Sequence, residues 1–190
     1  MARVIPKKFF IHPALKIAPE LLGKFLVRRI KNEKIALMIT EVEAYDSHKD
    51  KASHASRGKT ERNKTMFEEG GCFYVYFTYG MHWMLNVVTG PKNYPSAILI
   101  RAAYSPAAGE SISGPAKLTK FLKIGKKFNG LKAAPKNNLW FEDQGIKISP
   151  EQIAAKKRVG VEYAGPVWAE KKYNFSLDSG SSKLPKMRYN

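Results

Sequence analysis

Glu41 and Glu43 stand one residue apart in the run ITEVEAY (residues 39–45), at the end of an apolar stretch in a basic chain. A carboxylate at the edge of a dry surface can take a proton from water or offset positive charge developing on a substrate, which makes the pair a candidate for general acid–base work. The commoner fate of a Glu at a strand end is to be solvated or paired with arginine, so the two acids do not decide the matter alone. A second cluster adds weight: Tyr74, Tyr76, Tyr79 and His82 fall within nine residues. Aromatic strands often simply pack, but aromatic faces interleaved with positive charge are also what stacking of nucleic-acid bases requires.

Other chemistries find little support. His12, His48, His54 and His82 are the only histidines, and none pairs at a spacing of three or four with a carboxylate beside it, so no metal site is expected. There is no Walker loop, no Gly-x-Gly-x-x-Gly following a strand and no Gly-x-Ser-x-Gly elbow, so no cofactor and no serine triad are expected. Cys72 is the single cysteine, which excludes an intrachain disulfide and, inside a strand, is ordinarily a packing residue.

The 190 residues suit one domain spanning 1–190, and 44% hydrophobic with 12% aromatic residues suits an ordered core. Lys and Arg number 33 against 16 acids, a net charge of +17 whose field gathers polyanions. Nucleic acid is the leading partner, and a noncatalytic basic nucleic-acid-binding protein is the alternative to an enzyme. No signal-peptide core and no membrane-length apolar run occur, so the expectation is a soluble monomer in the cytoplasm, nucleoid-associated in a bacterium or nuclear in a eukaryote.

The elements that must position these side chains follow from periodicity. ALKIAPELL (14–22) has helical spacing, with the helix expected to begin at Pro19 and end at Gly23. Residues 24–30 and 34–44 read as a hairpin across KNEK, and strict alternation on the second strand puts Glu41, Glu43 and Tyr45 on the face of Ile35, Leu37 and Ile39. Residues 46–60 read as a loop, and ERNKTMF as a short helix. CFYVYFTYGMHWMLNVV (72–88) reads as two strands reversing near YGM, with Tyr74 and Tyr76 on one face. A strand over 96–104 containing Arg101, a helix over 113–122, a surface loop over 123–138, a strand with a turn over 158–165 and a mobile basic tail over 178–190 complete the reading. The sum is an α+β fold with a mostly antiparallel, curved sheet flanked by helices and long loops.

In series, LLGKFLVRR, ITEVEAY, HASRGKTERNKTMF, GGCFYVYFTYGMHWMLNVV, ILIRA, GPAKL and RVGVEYAG span residues 12–177. This succession resembles the 3-methyladenine DNA glycosylases of the alkyladenine (methylpurine) type. The resemblance implies a monofunctional enzyme of base excision repair that flips alkylated or deaminated purines out of double-stranded DNA and hydrolyses the glycosidic bond, leaving an abasic site. It implies that Glu43 is the general base, with Arg101 near its water. Tyr45, His54 and Tyr76 would wall the base pocket, Asn86 would exclude guanine through its 2-amino group, and Tyr79 would wedge into the duplex. Glu41, the rival acid, is given a structural place paired with an arginine. Two departures stand out: Glu61 replaces the family's Pro in KTERN, and Asn174 precedes Phe175 where the family often has Arg.

Overall fold

The structure is a computed structural model and describes residues 2–177. From the N-terminus, strand β1 (Arg3–Val4) precedes helix α1 (Ala14–Leu21) and the hairpin of β2 (Phe25–Ile30) with β3 (Glu33–Asp46). Strands β4 (Phe73–Thr78), β5 (His82–Val88), β6 (Ser96–Ser105) and β7 (Glu110–Ser113) then lead into helix α2 (Pro115–Phe121). Strands β8 (Leu139–Asp143) and β9 (Ile153–Lys156), helix α3 (Pro166–Ala169) and strand β10 (Asn174–Leu177) follow. All ten strands join one antiparallel sheet with the path β1-β8-β2-β3-β6-β5-β4, so the α+β expectation holds.

Two long strands organise the sheet. The first half of β3 pairs with β2 and its second half with β10, while β6 runs along its other edge. The main core lies on one face, where Ala14, Ile17, Ala18 and Leu21 of α1 and Leu118 of α2 pack onto Leu37, Ile39, Val42, Leu85, Ile98 and Ile100. Helix α1 begins at Ala14 rather than at Pro19, which lies inside it. A proline there forgoes one bond to the preceding turn, and burial of the four-residue apolar stripe outweighs that loss.

Alternation on β3 does not run through unbroken. Ile39 faces Ala103, Glu41 faces Ala102 and Val42 faces Ile100, so Thr40 on β3 and Arg101 on β6 are each left over as the register slips and slips back. Ile39 and Val42, three residues apart, consequently share the main core. Glu41, Glu43 and Tyr45 therefore lie on the face opposite Leu37 and Ile39, contrary to the strict period-two expectation. A bulge that re-aims side chains in this way escapes any count of alternating residues.

Two further segments differ from expectation. Residues 158–165 form no strand: they make a turn followed by a 3-10 turn over Glu162–Ala164, because their backbone and side-chain donors are spent on buried acids rather than on a ladder. The segment 123–138 does lack strands, yet it seals the edge of β4, with Gly130 N donating to Phe73 O and Phe73 N to Leu131 O. Phe128 and Ile124 anchor it in the core. ERNKTMF yields a 3-10 turn over Lys64–Phe67. The tail expected over 178–190 lies outside the described residues.

Candidate active site

Because the bulge turns Glu43 away from the main core, its carboxylate enters a second, polar environment between β6, β10 and the turn after β9. The residue is fully buried, and its two oxygens meet four donors. Oε1 accepts from Val159 N at 2.8 Å and Asn174 Nδ2 at 3.2 Å. Oε2 accepts from the Tyr45 hydroxyl at 2.9 Å and lies 3.3 Å from Arg101 Nη1. A buried carboxylate is tolerated only when paired and hydrogen-bonded in this way. Burial, and then the charge of Glu43, raise Tyr45 well above the ordinary phenol range, so its hydroxyl stays protonated and donates.

The turn that supplies Val159 N is itself pinned. Arg158 is buried and grips Asp50 with both terminal nitrogens, Nη2 to Oδ1 at 2.9 Å and Nη1 to Oδ2, while Nη1 also donates to Ala44 O. Its guanidinium lies 4.7 Å from the centre of the Tyr45 ring, so the same arginine backs the tyrosine and holds the turn against β3. Asp50 is further held by Ala52 N, which fixes the loop after β3. Within that loop, the buried Asn63 donates to His54 O at 2.8 Å and Gly58 O at 2.9 Å, which sets where His54 sits. Glu61, the departure beside it, is exposed and bridges to Lys64, leaving this support intact.

The seven residues to which the resemblance assigns site roles line one cavity of about 290 Å³: Glu43, Tyr45, His54, Tyr76, Tyr79, Asn86 and Arg101; Glu41 and His82 do not. That volume is at the low end of ligand pockets, about 300–1,000 Å³, and suits a single heterocycle. Tyr45 comes from β3, Tyr76 from β4 and His54 from the intervening loop, so separate elements contribute the aromatic walls. The His54 and Tyr76 rings meet edge-on at 4.6 Å, and His54 Nδ1 is 3.0 Å from the Tyr74 hydroxyl. His54 is open to solvent on the cavity side, but desolvation by the rings beside it, and then the nearby Arg62, lower it to about 4, so it is neutral at pH 7. Burial raises Tyr76 to about 12. Asn86 pairs across the hairpin with Tyr74, gives Nδ2 to its carbonyl at 3.1 Å and lines the cavity.

Tyr79 sits at the rim and is 82% exposed. Its φ of 52° and that of Gly80, 65°, make the mirror-image turn that matches the twist of a two-stranded hairpin, closed by Met81 N to Thr78 O. A tyrosine in the left-handed region is uncommon, and here it projects the ring past the end of the sheet. Glu41 lies just beyond the cavity, paired with Arg101 Nε at 2.9 Å. Cys72 is buried, with its thiol pushed up to about 11 by that burial, the state of a packing residue.

Sequence reasoning marked Asn174 only as a departure from the family pattern and missed Val159, Asp50 and Arg158. The last two carry opposite charges 108 residues apart, and no local spacing announces such a pair. Among the described residues no cluster of His, Cys, Asp and Glu could hold a metal, and no helix is long and apolar enough to cross a membrane.

Known proteins resemble the chain over nearly all of its length. The sequence model for methylpurine-DNA glycosylase matches residues 8–180. A relative from Methanocella arvoryzae is 42% identical over 85% of this chain and 86% of its own. One from Borreliella burgdorferi is 43% identical over 82% and 86%, and one from Streptomyces avermitilis 38% identical over 95% and 91%. Each of these relatives is provisionally named 3-methyladenine DNA glycosylase.

Proposed function

This chain belongs to the methylpurine-DNA glycosylase family, and from that premise we propose that it excises damaged purines from double-stranded DNA by hydrolysis, with Glu43 as general base. The observation that carries the reading is a fully buried carboxylate, held by four donors, at the wall of an aromatic cavity with an exposed wedge at its rim.

A base inside a duplex is out of reach, so the nucleotide must leave the stack, at a cost of a few kcal/mol. Tyr79 enters the vacated space and partly offsets that cost, while the surplus of Lys and Arg holds phosphates without regard to sequence. The extruded purine stacks on Tyr45 and Tyr76 beside a neutral His54. For an alkylated, cationic purine each well-placed ring contributes about 0.5–2 kcal/mol, and an uncharged imidazole does not repel it. On this reading the Asn86 amide, at the cavity wall, is what meets an additional exocyclic group on the base.

Such a base is a good leaving group, so the remaining task is to supply water and stabilise an oxocarbenium-like sugar, as in glycoside hydrolysis. Glu43 accepts the water's proton and its charge faces the developing cation, while Arg101 fixes its orientation. No lysine among the described residues lines the cavity, so no amine is placed to attack the sugar. The product is then an abasic site in an unbroken strand.

Incubating the protein with duplexes carrying one hypoxanthine or one 3-methyladenine tests this reading. Free base and an alkali-labile, otherwise intact strand are expected. Equal binding of damaged and undamaged duplex with no base released would instead identify a noncatalytic binder.

A further inference from the structure

Asn174 on β10 stands in direct register with Glu43 on β3. Its side chain is buried, and its single Nδ2 serves two acids, at 2.8 Å from Glu41 Oε1 and 3.2 Å from Glu43 Oε1. Arg101 joins the same two acids from the other side, Nε to Glu41 at 2.9 Å and Nη1 to Glu43 Oε2 at 3.3 Å. The four side chains thus form a closed ring in which one neutral amide and one guanidinium separate two carboxylates. A satisfied buried network holds one geometry, and a general base must be held to within about half an ångström.

Resting on the reading of Glu43 as general base, we propose that Asn174 and Glu41 are its positioning residues. Asn174 orients Glu43 Oε1 and bridges the two acids, and Glu41 orients Arg101 so that Nη1 faces Glu43. Neither lines the cavity, so both act through the groups that do. The groups facing Glu43 are Glu41 and Tyr45 from β3, Arg101 from β6, Arg158 from the turn after β9, and the Tyr76 and Tyr163 phenols. Asn174 supplies neutral polarity at a point where an added negative charge would favour protonated Glu43.

The test is the pH dependence of single-turnover hypoxanthine release by wild type, Asn174→Asp, Glu41→Gln and Glu43→Gln. Asn174→Asp removes a donor and adds a carboxylate, so the acid limb of its profile is expected about one pH unit or more above that of wild type. Glu41→Gln keeps an acceptor for Arg101 but removes a charge, so its limb is expected to move the opposite way. Mere loss of packing lowers the melting temperature and moves neither limb. Should Asn174→Asp fail to fold, Glu41→Gln alone carries the test. Limbs that coincide with wild type, beside an inactive Glu43→Gln, overturn the positioning roles and leave the base intact. A Glu43→Gln variant that excises at the wild-type rate overturns both.

Discussion

Glu43 and His54 differ in exposure: the first is fully buried and the second open to solvent. Glu43 is enclosed by donors, whereas the His54 ring keeps one edge on the solvent of the cavity and is otherwise surrounded by tyrosines with Arg62 nearby. Its lowered value has a definite sign: folded protein resists protonation that the unfolded chain accepts at 6.5. The His54 contribution to stability is therefore constant above pH 6.5, falls as pH drops through the interval to about 4, and levels off below it. An NMR titration of the His54 imidazole should show a midpoint near 4, and a midpoint at 6 or above would contradict the neutral wall. Tyr79 calls for a different measurement. Since its phenol touches little protein, Tyr79→Ala should leave unfolding within about 0.5 kcal/mol of wild type while slowing excision and weakening affinity for duplex DNA. A rate equal to wild type would remove the wedge from the mechanism.

At the level of elements, the bulge shared by β3 and β6 and the pinned turn after β9 build the site. Asp50 and Arg158 are both fully shielded, so Asp50→Ala leaves a buried guanidinium without its partner. Breaking such a pair costs about 3–5 kcal/mol, and urea unfolding of Asp50→Ala should show a loss of that order. A change below about 1 kcal/mol would mean that the turn is held by something else. These elements also mark what could be read in the sequence. Tyr74 and Tyr76 fell on one face because the β4–β5 hairpin is regular, and the β2–β3 hairpin closed where the apolar runs met, with a turn of only Lys31 and Asn32. The motif order brought Tyr45, His54, Asn86 and Arg101 together although they belong to four different segments. The face of Glu43 was not legible, because a one-residue slip reverses parity without leaving any mark in composition. Asn174 stood out in sequence only as a departure, and its contact with Glu43 was not legible for a related reason: it lies in a register that only the folded ladder defines.

Over the whole molecule, a net charge of +17 surrounds a cavity whose lining acid, Glu43, is buried, so general attraction to DNA and local chemistry are separable. Duplex affinity should fall steeply with salt, by about a thousandfold between 50 and 200 mM if about six phosphates are contacted. Affinity that ignores salt would refute the phosphate contacts. Sequence-independent binding should also survive loss of the carboxylate at residue 43, because Glu43 is fully buried. The most direct measurement is therefore single-turnover release of hypoxanthine from a duplex by wild type and Glu43→Gln, with binding to the same duplex measured in parallel. Binding of comparable strength with excision slowed by at least about a hundredfold is the predicted result. Excision by Glu43→Gln at the wild-type rate would contradict the account.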